Sequence, residues 1–229
     1  SYLNSLPEET IEKMASTYTE GYRKGFDVMG RDLSKKKTVS IRYELGFERM
    51  IRAAILQFRE MGLEPVISRG ARRTWVAGAS ANKQYDYDHR EDRAYYVDKA
   101  YVERGLETWK NAFEEEKVHA DGMAGPAVIE VFGEEPFSPE TKKEAFRYSE
   151  KQHQLCVYEM SQRGQITNQY IKGEERSFTI IAYPLPSIGA RFEEIFAETV
   201  KINTLDYMLY RNMQQKMIDV LDQADCVHI

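Results

Sequence analysis

Apolar positions along the chain recur with two periods. Ile11, Met14, Ala15, Tyr18, Tyr22 and Phe26 fall on one face of a helix. Ser5-Leu6-Pro7-Glu8 predicts its start, with Ser5 as cap, Glu8 closing a capping box and Pro7 in the first turn, and Gly30 its stop. Thr38 to Tyr43 is β-branched and alternating, which predicts a strand. Phe47, Met50, Ile51, Ala54, Ile55 and Phe58 return to helical spacing, Gly62 ends that helix, and Pro65 to Ser68 is a second strand. The unit is a compact βαβ, whose strands are expected to be parallel with a right-handed crossover.

Residues 69–84 carry Gly, Ser and Asn together with Trp75 and predict a long loop after the second strand. A charged helical stretch follows from about Asp88 to Glu116. Ala127 to Phe132 is a third strand, closed by Gly133-Glu134-Glu135-Pro136. Ser138-Pro139 predicts a helix to about Arg163, with Pro139 at its first position. Ser177 to Tyr183 is almost wholly apolar, as expected of a strand covered on both faces. Two helices finish the chain, one presenting Phe192, Ile195, Phe196 and Thr199, the other Leu205, Met208, Leu209, Met213, Met217, Val220 and Leu221.

Strands alternating with long helices predict an α/β fold, a mainly parallel sheet sandwiched between helices in three layers of the Rossmann or flavodoxin-like kind. In such sheets ligands lie beyond the carboxyl ends of the strands. Here that places the segments after Tyr43, Ser68, Phe132 and Tyr183 at the site.

Composition narrows the function classes. With 229 residues, 42% of them hydrophobic, the chain is long enough for one complete core, and 1–229 is expected to be a single domain. A net charge of -5 argues against a nucleic-acid partner, which calls for a basic face. Lys35, Lys36 and Lys37 read as a solvated turn before a strand. Cys156 and Cys226 form no paired motif, which points to a reducing, cytoplasmic compartment. No segment approaches the roughly 18 apolar residues of a membrane span, so no membrane partner is expected. The start at Ser1 and the stop within the apolar run Cys226-Val227-His228-Ile229 suggest a piece of a longer protein.

Recognisable catalytic motifs are missing. The four histidines, His89, His119, His153 and His228, include no pair one helical turn apart around a glutamate. The acidic cluster from Asp86 to Asp92, with His89 inside it, is most simply the acid-rich start of a helix. There is no Gly-x-Ser-x-Gly and no glycine-rich phosphate loop. Two sets remain as candidate cleft residues. Tyr183, Pro184 and Pro186 can rim a cleft or merely link a strand to a helix. Arg72, Arg73 and Trp75 can meet a ligand carboxylate and an apolar group, or belong to a solvated loop with one anchoring Trp.

Taken in order, Thr38-Val-Ser-Ile-Arg-Tyr with its following helix, Ala127-Val-Ile-Glu-Val-Phe-Gly-Glu-Glu-Pro136 and Ser177-Phe-Thr-Ile-Ile-Ala-Tyr-Pro-Leu-Pro186 resemble the N-terminal domain of the aminopeptidase T and aminopeptidase S family of metallo-aminopeptidases. The resemblance implies a cytoplasmic exopeptidase that removes N-terminal residues from peptides, works as a homodimer and uses two divalent ions (Zn, Co or Mn). In that family the metal ligands belong to a C-terminal catalytic domain, so it implies no catalytic or metal-binding residue on this chain. It implies instead that this domain shapes and shields the substrate cavity, with its own C-terminal domain and peptides as partners. The alternative is a self-standing α/β binding or regulatory module for a small or peptidic ligand.

Overall fold

The computed structural model describes residues 2–68, 93–133, 147–204 and 206–226. Four strands, β1 (Thr38–Arg42), β2 (Glu64–Ser68), β3 (Met123–Phe132) and β4 (Thr179–Pro184), form one sheet in the order β2-β1-β3-β4. Every pairing is parallel. The helices are α1 (Glu8–Val28), α2 (Glu48–Glu60), α3 (Lys99–Glu115), α4 (Lys117–Asp121), α5 (Glu150–Tyr170), α6 (Phe192–Asn203) and α7 (Tyr207–Leu221).

The crossovers assign the layers. β1 reaches β2 through α2 in one direction, whereas β2 to β3 through α3 and α4, and β3 to β4 through α5, step the other way. Right-handed connections therefore put α2 on one face and α3 and α5 on the other. The first face holds the main core: Val39, Ile41, Ala127, Ile129, Ile181 and Tyr183 from the sheet meet Tyr18, Tyr22, Phe26, Phe58 and Phe196 from α1, α2 and α6. Tyr22 and Phe58 pack edge to face at 5.3 Å, and Tyr183 and Phe196 stack at 5.2 Å. Each such ring contributes about 2–3 kcal/mol by burial. On the second face α3 and α5 run side by side in the same direction, with Gln152 Nε2 donating to Val97 O near their starts and Phe113 stacked on Tyr170 at their ends.

Glu159 is buried in this helix pair, with the guanidinium of Arg93 against one carboxylate oxygen and Arg163 Nε donating to the other at 3.0 Å. The sheet's second face is only partly covered, since Val66 is 51% and Ile180 53% exposed. β4 is thus an edge strand with one open face, not a strand covered on both. Its outer edge is met by α6, where Asn203 Nδ2 donates to Ala182 O at 3.0 Å, and the opposite edge strand carries Pro65.

Three local expectations need correction, the first being Lys36, which is not solvated but buried, its Nζ paired with Glu175 at 3.0 Å. Ser5 does not cap α1: its hydroxyl donates to Tyr2 O, Pro7 stands at the cap position, and Glu8 pairs with Arg49 instead of closing a box. The expected Pro139–Arg163 helix is not continuous, because residues 147–149 are non-helical and α5 starts at Glu150 behind a Ser149/Gln152 capping box and runs to Tyr170. Pro139 itself lies outside the described residues.

Central strand β3 contains Pro126, which removes a ladder donor. It is tolerated at a bulge, where Thr38 to Ser40 on β1 face Met123 to Pro126 on β3. Gly125 supplies the bulge with φ 115°, and an added Cβ would meet Ser177 O at 1.9 Å.

Candidate functional site

All four strands point the same way, so their carboxyl ends share one edge. The crossovers diverge between β1 and β3, which is where ligands gather in sheets of this kind. On the β1 side the chain turns through residues 43–47 into α2, with Gly46 at φ 108°. Gly46 N donates to both carboxylate oxygens of Glu48, at 3.2 and 3.0 Å. A side-chain carboxylate already sits at this helix N-terminus, so the turn is a poor seat for a phosphate. Arg49, one residue further, donates to Leu3 O and Leu6 O and pairs with Glu8, stapling the amino-terminal segment beside the turn.

On the β3 and β4 side the ends are knitted to each other. Leu185 N donates to Phe132 O at 2.7 Å, and Ser187 Oγ donates to Gly133 O at 2.9 Å. Gly133, at φ 95°, lies so close to Ile188 that a Cβ there would come within 2.7 Å of Ile188 Cβ. A tight turn of Pro186–Ile188 then leads toward α6.

This geometry sorts the candidate cleft residues. Tyr183 is fully buried, its ring between Phe47 at 5.5 Å and Phe196 at 5.2 Å, so it belongs to the core and lines no cleft. Among the described residues its hydroxyl has no hydrogen-bond partner. Burial pushes its pKa above the ordinary tyrosine range, and the nearby Asn203 amide limits the rise. Pro184 is buried as well, and Pro186 alone of the three is exposed on the rim. Arg72, Arg73 and Trp75 lie outside the described residues, as do His89, the Asp86–Asp92 cluster and His228.

The residues that sequence patterns did not single out are Arg42, Glu44, Gly46 and Glu48, which surround the divergence point on the β1 side. A glycine immediately between a strand and a helix was their available signal. Among the described residues no group of three His, Cys, Asp or Glu side chains is placed to hold a metal ion. His119 is exposed on α4 beside Glu116, and His153 is exposed on α5. Cys156 is half-buried in the α3–α5 cluster and Cys226 exposed, both as free thiols. Among the described residues no helix is long and apolar enough to cross a membrane.

Compared with protein families, curated proteins and solved structures, the chain matches none of them.

Proposed function

We propose that this chain is the N-terminal domain of a cytoplasmic metal-dependent aminopeptidase, shaping and shielding the cavity in which peptides are cut. The observation that carries this is spatial. The three segments resembling that family come together as the neighbouring strands β1, β3 and β4, and their distinctive ends touch. Tyr183 packs on Phe47, Leu185 bonds to Phe132, and Ser187 bonds to Gly133. Motifs far apart in sequence thus form one structural unit, as they should if they descend together from such a domain.

The described residues do not fit a two-metal centre, so no chemical step is assigned to this chain. On this reading the ions and the groups that hold them belong to a separate catalytic domain. The test uses the polypeptide extended by the sequence that follows Ile229 in its gene. Hydrolysis of leucyl p-nitroanilide that depends on cobalt, zinc or manganese and is lost with a chelator is the expected result. The 229-residue chain alone should show no turnover above a metal-only control. An extended polypeptide without aminopeptidase activity, or a reading frame ending just after Ile229, overturns the proposal and leaves the self-standing binding module.

A further inference from the structure

The sheet's second face carries two charges of opposite sign that do not pair. Val39 and Ile41 of β1, Ala127 and Ile129 of β3, and Ile181 and Tyr183 of β4 enter the main core, so the alternating residues Arg42, Val128, Glu130, Ile180 and Ala182 lie on the opposite face. The register sets Arg42 beside Val128, Val128 beside Ile180, and Glu130 beside Ala182. Arg42 and Glu130 are therefore diagonal neighbours on adjacent strands, about 8 Å apart at their Cα atoms. Side chains of that length can reach each other, yet among the described residues neither forms an ion pair or a hydrogen bond. Both are half-buried. A charge partly withdrawn from water and left unpaired opposes folding, and such local violations gather at functional sites.

The surroundings give the chemistry of the ligand. The pair stands toward the carboxyl ends of β1 and β3, where the crossovers diverge. Val128, Ala182 and the exposed Ile180 make an apolar floor beside it. Of the other acids at this end, Glu48 is occupied at Gly46 N and Glu44 is exposed on the turn. A guanidinium takes a carboxylate through parallel N–H donors, and a carboxylate accepts from an ammonium. A cation and an anion side by side over an apolar floor thus match a molecule with a carboxylate and an ammonium on one carbon and an apolar side chain. A phosphate is repelled by Glu130, and a simple amine by Arg42.

We propose that this face of the sheet binds a free apolar α-amino acid, its carboxylate on Arg42, its ammonium on Glu130 and its side chain along Val128 and Ile180. For a ligand of this size the dissociation constant is expected at about 0.1–1 mM.

Titration calorimetry of the 229-residue chain with L-leucine up to about 20 mM tests this. Leucine should bind, and R42Q or E130Q should each weaken it at least about tenfold. In the parent chain 4-methylpentanoate, which lacks the ammonium, 3-methylbutylamine, which lacks the carboxylate, and glycine, which lacks the side chain, should each bind at least about tenfold more weakly. These analogues test the site however the variants fold. No binding of leucine, an analogue or leucyl-leucine that binds as tightly as leucine does, or R42Q and E130Q chains that bind like the parent overturns the proposal. The readout is binding to this chain and not peptidase activity, so this result and that of the functional test stand or fall separately.

Discussion

The Tyr22 hydroxyl donates to the carbonyl of Gly125 at 3.1 Å, joining residues 103 positions apart in the chain. It ties α1 to the bulge of β3, where the backbone runs against Ser177. Tyr22→Phe leaves that carbonyl unpaired and should cost about 1–2 kcal/mol. Gly125→Ala combines a positive φ with a backbone clash and should cost more than about 3 kcal/mol. Urea denaturation of the two variants checks the order.

Tyr18 sits on the same face of α1 as Tyr22, but among the described residues its buried hydroxyl has no partner, and neither has that of Tyr183. Removing an unsatisfied polar atom relieves a desolvation cost. Tyr18→Phe and Tyr183→Phe should therefore be neutral or stabilising by up to about 1 kcal/mol, the opposite of Tyr22→Phe. Thermal melts that show the three variants losing stability equally would contradict this.

Burial raises the pKa of Tyr18, Tyr22 and Tyr183 above the ordinary tyrosine range, near about 10. Above that pH the folded chain binds more protons than the unfolded one, so stability falls as pH rises. The contribution is complete below about pH 10 and is lost progressively beyond it. An absorbance titration at 295 nm should show these three of the 15 tyrosines ionising only as the chain unfolds.

Glu175 behaves in the opposite sense. Lys172 and the buried Lys36, at 2.9 and 3.0 Å, hold its carboxyl down to about 2. Its stabilisation is present above the unfolded value of about 4.3 and disappears as pH falls toward about 2. Glu175→Gln should flatten that part of the acid denaturation curve. Lys36→Met should flatten it too, and should also weaken the link to Asp121 O.

Glu159→Ala leaves Arg93 and Arg163 facing each other without their shared carboxylate. Both guanidiniums are about two-fifths exposed, so solvent screens part of the loss, and about 1–3 kcal/mol is expected. Hydrogen exchange should rise in α3 and α5 and stay unchanged in β1 and β3. Equal loosening of the sheet would show that the helix pair is no separate cooperative unit.

The parallel sheet and its main helices were legible because period and punctuation agree: Thr38–Arg42 alternates, the α2 face repeats, and Gly62 closes the helix. Strand order was not, since it depends on contacts between β1 and β3 that no local pattern encodes. Tyr183 illustrates the limit at the site. A tyrosine before two prolines reads equally well as a rim or an anchor, and only the rings of Phe47 and Phe196 decide it. Ser5 and Glu8 had capping chemistry, but Arg49, distant in sequence, competed for the carboxylate and won. The α7 stripe was visible as apolar spacing, whereas its exposure was not.

Among the described residues, each border of the sheet carries one feature that works against pairing with another strand. Pro65 offers no N–H along β2, and the Asn203 amide occupies the Ala182 carbonyl along β4. A chain that leaves Val66 and Ile180 in water would otherwise invite end-to-end growth of its sheet into fibrils. Each of these two residues takes one strand-pairing group out of use at its border, which works against edge-to-edge growth of the sheet.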